Sequence, residues 1–100
     1  MAATSIKIGT KTVPLYFGME CAEMQLKAQL EGKGGEYSTN FQLIMYGHKN
    51  WATINDVPCI ITPQEVNEFL EAKLLEDDME ELNRIGALWI DSISHKYIKK

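Results

Sequence analysis

The sequence predicts an α+β fold in which an N-terminal β-hairpin packs on a bundle of three to four α-helices. Three observations carry this. The stretch "IKIGTKTVPL", residues 6–15, alternates apolar and polar residues with a period of two around a Gly-Thr pair. Past Phe17 the apolar spacing changes to three and four residues, the spacing of a helix face. Further on, "TPQEVNEFL" carries a complete helix start: Thr62 to cap, Pro63 at the first helical position and Glu65 to close the capping box. One hundred residues, 45% of them hydrophobic, hold one domain, 1–100, with one modest core.

The hairpin is expected over 5–16. Gly9-Thr10 suits a type II′ turn, which needs glycine at its first central position. Pairing Ile8 with Lys11 then sets Ile6 opposite Val13. Ile6, Ile8, Val13 and Leu15 share one face, expected to be buried near Phe17, Cys21 and Met24, while Lys7 and Thr12 face away. Pro14 cannot donate to a ladder, so its strand is an edge or stops there. A lone hairpin is marginal in water, so it must lie on helices or pair with strands of another chain.

The first helix is expected over 17–30, stopped by the glycine-rich "EGKGGEYS". At about 100° per residue, Phe17, Cys21, Met24 and Ala28 form one stripe, and Met19, Ala22, Leu26 and Leu30 an almost opposite one. Either the helix is sandwiched inside its own domain, or one stripe serves the core and the other a partner. A second helix is expected over 39–52, capped by Ser38 or Thr39, with Phe41, Ile44, Met45, His48, Trp51 and Ala52 on one face. Gly47 costs about 1 kcal/mol in a helix interior and marks close packing against another backbone. "NDVPCIITP" reads as an extended connector whose Cys59-Ile60-Ile61 is buried or adds a short strand.

A third helix, 63–76, buries Val66, Phe69, Leu70 and the stem of Lys73. A fourth, 78–98, aligns Met79, Leu82, Gly86, Trp89, Ile90, Ile93 and Tyr97. In one straight helix from 63 to 98 these two stripes would face opposite ways. Asp77-Asp78 is therefore read as a break, with Asp78 capping and Glu81 at the third helical position; the alternative is one long helix serving two partners.

Catalysis needs a nucleophile or acid tuned by a neighbour, and the sequence spells out none. No serine lies in a G-x-S-x-G elbow. Asp91 and His95 are one helical turn apart, the spacing of a surface ion pair. His48, on an apolar face, reads as a satisfied core or interface residue. Cys21, His48, Cys59 and His95 lack the short-range pairing of a zinc site, and "EDDMEE" lacks the glycine and spaced ligands of a calcium loop. Both cysteines read as buried free thiols ahead of a disulfide.

A net charge of −4 with Arg84 as the single arginine speaks against nucleic acid; Lys96, Lys99 and Lys100 complement a helix C-terminus. Neither a leader nor a membrane span is legible, which points to the cytoplasm. No enzyme, cofactor or metal is expected, and neither nucleic acid nor membrane as partner. The expected partner is the chain itself, bound through apolar surface left over at Met19, Ala22, Leu26, Leu30 and Leu88.

"IKIGTKTVPLYFGME", a short hairpin flowing into an amphipathic helix, resembles the tail assembly chaperones of long-tailed phages and prophages. Ile6, Ile8, Gly9, Lys11, Pro14, Leu15, Phe17, Gly18 and Met19 carry the likeness, and "TPQEVNEFLEA" is similar in style to a later helix of that family. The resemblance covers about a fifth of the chain and is structural in kind. It implies a small, non-enzymatic protein in the cytoplasm of the bacterial host. Such a protein self-associates and coats the tape-measure protein until tail-tube subunits replace it. Some members also have a longer, frameshifted form; here the final capped helix ending "HKYIKK" departs from that pattern. Five methionines suit an adaptable surface equally well as a core filler. A small regulatory or adaptor dimerisation domain without nucleic-acid contact is the alternative, and an enzyme subunit completed by another chain, with a site around His48, is a third reading.

Overall fold

The computed structural model describes the backbone of residues 2–32 and 35–97, with the side chains of all of these except 2, 36, 37 and 92–97. Strand β1 (Ala2–Ile8) and strand β2 (Lys11–Phe17) precede four helices, α1 (Met19–Leu30), α2 (Glu36–Asn55), α3 (Pro63–Glu76) and α4 (Glu80–Tyr97). The architecture is α+β: a two-stranded antiparallel hairpin laid on helices.

The register is the expected one, with Ile8 opposite Lys11 and Ile6 opposite Val13. Gly9 has φ +66°, as the first central position of a type II′ turn requires. Ile6, Ile8, Val13 and Leu15 are buried, whereas Lys7 and Thr12 are exposed. The strands run past 5–16 at both ends, and β2 does not stop at Pro14. The reason lies in the ladder. Ile8 and Lys11 flank the loop as a hydrogen-bonded pair, so alternation puts Ser5 and Pro14 in a non-hydrogen-bonded pair. The amide that proline lacks would have pointed outward, and the ladder loses nothing.

Outward-pointing carbonyls are open edges unless something covers them. Here Nδ1 of His48 on α2 lies 2.9 Å from the Pro14 carbonyl, and Nη2 of Arg84 on α4 donates to the Ser5 carbonyl at 2.7 Å. Arg84 also donates to the Thr4 hydroxyl at 2.6 Å, and Glu81 holds it through Oε1 at 2.9 Å. Both edges of the hairpin are thus tied to helices of its own chain.

The helix at the centre is α2, not α1: it packs on β2, α1, α3 and α4. It is longer than 39–52, starting after Gly35 and ending at Asp56, whose left-handed backbone caps it through bonds to the Ala52 and Thr53 carbonyls. Its buried residues include Gln42, Leu43, Ile44, His48, Asn50 and Ala52, while Phe41, Met45 and Tyr46 are half-buried against the core. Gly47 meets β2 closely, as its position implied, though against side chains: a Cβ there would sit 2.9 Å from the Phe17 ring and 3.4 Å from the Leu15 Cβ. Phe17 in turn meets Trp89 of α4 edge-to-face, ring centres 6.0 Å apart.

Residues 63–97 form two helices. Thr62 and Glu65 complete the capping box of α3, and Asp77 ends it in the left-handed region with φ 54°. The Asp78 carboxylate accepts from the Glu80 amide and from Lys73 Nζ at 3.1 Å, so the junction is held on both sides. Helix α4 begins at Glu80, slightly later than expected. In the connector Ile61 is buried, but Cys59 and Ile60 are exposed and no strand forms. The expectation of a buried Cys59 is corrected: residues 57–60 all run along the surface, and the connector reaches the core only at Ile61, just before the capped start of α3. The side chains of Ile93, His95 and Tyr97 and the cluster of Lys96, Lys99 and Lys100 lie outside the described side chains.

Candidate protein-interaction surface

Helix α1 decides where apolar surface is left over. Its N-cap is Gly18, which offers no side chain to the unpaired amides of the first turn. Asn50 of α2 supplies the missing acceptor: its Oδ1 takes the Gly18 amide at 3.2 Å and the Cys21 amide at 3.0 Å. A Cβ on residue 18 would fall 2.3 Å from the Tyr16 ring and 2.9 Å from that oxygen, so only glycine fits. Thr53 adds a longer bond to Glu20, 3.4 Å. The start of α1 is therefore pinned to the end of α2.

That pinning sets the helix's rotation. The buried residues of α1 are Cys21, Ala22, Gln25 and Ala28, with Met24 half-buried. Small side chains let α1 approach α2 closely, and the large apolar ones are left outside. Met19 is 44% exposed, Leu26 49% and Leu30 88%. Among the five residues expected to bind a partner, Ala22 is corrected: at 4% exposure it belongs to the core. The actual inward face is centred near Gln25, rotated from the expected Cys21–Ala28 stripe toward Ala22. Leu88 is half-buried and packs against the core. Met19, Leu26 and Leu30 remain together as one exposed stripe.

Burial within α1 has chemical consequences. The Cys21 thiol is pushed up to about 12, first by desolvation and then by the nearby Glu20 carboxylate, which makes it inert. Gln25 is 1% exposed, and neither atom of its amide meets a hydrogen-bond partner among the described residues. His48 is fully satisfied. The Ile60 amide can only donate, at 3.0 Å, so Nε2 accepts and the proton sits on Nδ1, facing the Pro14 carbonyl. Trp51 stacks on the ring at 5.7 Å.

Further exposed apolar residues escaped the sequence reading. Ile54, Val57 and Ile60 lie at the end of α2 and in the connector, Leu74 and Leu75 at the end of α3, and Ile90 on α4. Leu75 had a legible signal, since it falls opposite Val66 on the wheel. Ile90 had none, because it shares a stripe with Trp89; it lines a groove with Asn83 and Ala87 of α4 and Thr39 and Asn40 of α2. A second groove, lined by Lys49, Thr53, Asp56, Val57 and Cys59, opens beside the connector.

Among the described residues no group of three or more His, Cys, Asp or Glu side chains could hold a metal ion. No helix among them is long and apolar enough to cross a membrane. Fold and surface together define an α+β domain, hairpin on helices, with large apolar side chains outside on α1. The chain matches no family model, no curated protein and no solved structure.

Proposed function

We propose that this chain is a non-enzymatic tail assembly chaperone of a long-tailed phage or prophage, working in the bacterial cytoplasm. It self-associates through α1 and holds the tape-measure protein until tail-tube subunits displace it. One observation carries the reading: Met19, Leu26 and Leu30 are exposed on a helix whose other face is already buried in the chain's own core. The hairpin running straight into that helix, on which the family resemblance rests, supports it. Fully burying a large apolar side chain contributes about 1.5–3 kcal/mol. With Leu26 and Met19 starting half-covered, the gain is of the same order as the cost of association, so contacts are reversible. Reversibility is what a coat replaced by tail tube requires. The separate exposed group at Ile54, Val57 and Ile60 leaves apolar surface for a second protein.

Leu26→Glu tests this directly. Light scattering should show wild type associating as concentration rises and the variant remaining monomeric, with unchanged circular dichroism. Co-expressed with a long-tailed phage's tape-measure protein, wild type should keep it soluble and copurify with it. A wild type that stays monomeric and leaves the tape-measure protein insoluble would overturn the proposal.

A further inference from the structure

The charges beside the α1 stripe specify how a second copy docks, an inference resting on the self-association proposed above. Glu23 and Lys27 lie one helical turn apart on the same flank of Leu26 and Leu30, and both are exposed. Neither enters an ion pair among the described residues. The other flank carries Ala22, buried against the chain's own body, and Gln29, so it has no charge to offer. Glu20 shares that flank but is half-buried and accepts a bond from Thr53 of the chain's own α2, so the open positions read acid first and base second, an order reversed when the helix is turned end for end.

We propose that α1 pairs with α1 of a second copy in antiparallel fashion, Glu23 of each facing Lys27 of the other. In an antiparallel helix pair each flank meets the same flank of its partner, so the Glu23–Lys27 flank lies against itself, inverted. Setting Glu23 against Lys27 places the two-fold axis at residue 25. Leu26 then meets its symmetry mate beside the axis, and Leu30 reaches the partner helix's first turn, where Met19 is exposed. A parallel pair would put the charged flank against Ala22 and Gln29 and form no ion pairs. Antiparallel packing alone satisfies the charges and covers the three apolar side chains together.

The test separates this geometry from self-association itself. Glu23→Lys and Lys27→Glu should each weaken association, because each makes the facing flanks alike in charge. Mixed in equal amounts, the lysines of the first variant meet the glutamates of the second at both ends. Sedimentation equilibrium should then show the mixed pair forming about tenfold more tightly than either variant with itself. Raising the salt concentration should erase that difference. An ion pair within one helix cannot produce the rescue, since each variant has lost it. If wild type associates but mixing gives nothing, the antiparallel arrangement is wrong while self-association stands. If wild type does not associate, both fall. Circular dichroism of each variant confirms that these exposed positions leave the fold intact.

Discussion

Asn50 shows how far one polar side chain can reach in a small domain. Its amide oxygen serves as the N-terminal cap of a helix that begins 32 residues earlier with a glycine. Asn50→Ala strands two buried amides and should cost about 2 kcal/mol, seen as a lower denaturant midpoint with unchanged slope. Gln25 is the opposite case, a buried amide without a partner among the described residues. Replacing such a group by an apolar one of similar shape is neutral or stabilising, so Gln25→Met should raise the melting temperature. The two cysteines differ first by burial, and the Glu20 carboxylate adds to its effect at Cys21. A thiol reagent should modify Cys59 rapidly in the native protein and Cys21 only after unfolding, giving one fast equivalent per chain.

At the level of elements, the hairpin depends on α2 and α4 rather than on itself. Gly47 lets α2 settle onto β2, with the Phe17 ring taking the place of a side chain. Gly47→Ala adds a methyl group 2.9 Å from that ring, and the expected loss is about 1–3 kcal/mol despite alanine's better helix propensity. A gain in stability on that substitution would show that the strand yields. On the other edge, Arg84 binds Thr4 and Ser5 through a planar fork held by Glu81. Lysine has the charge without the fork. The sequence offered Arg84 only as evidence against nucleic-acid binding. Its role as an edge clamp arises 79 residues from its partner, beyond any local pattern.

For the whole molecule, acid should act through three tethered carboxylates. Lys11 holds Glu65 below the usual carboxylate range by a hydrogen bond at 2.7 Å, with the capping box adding to it. Lys73 does the same for Asp78, and Arg84 for Glu81. A carboxyl depressed on folding contributes stability that is fully present above its unfolded value. That stability is lost as pH falls through the folded value. The melting temperature should therefore hold from neutral pH to about 5 and decline below 4.5, the ordinary value for a glutamate. All three groups are exposed or half-exposed, so high salt should flatten the decline.

The local rules alone determined much of this protein. Period-two alternation and a glycine turn are enough for the hairpin and its register, and a capping box is enough for the start of α3. The Asp77-Asp78 break follows from two stripes that one straight helix cannot reconcile. The hairpin and the capping box are decided by atoms within a few residues of one another, and the break by two helical patterns that meet at it. The exposed face of α1 was legible as a second stripe, but its membership was not. Periodicity gives the relative angles of side chains around a helix, never the direction in which the helix faces. That direction was decided by Asn50 and by the small residues Cys21, Ala22 and Ala28, which let α1 approach α2 and turned Met19, Leu26 and Leu30 outward. The centrality of α2, the clamped strand edges and the exposed Cys59 are likewise tertiary outcomes. They depend on contacts between residues far apart in the chain, and such contacts exist only once the chain has folded.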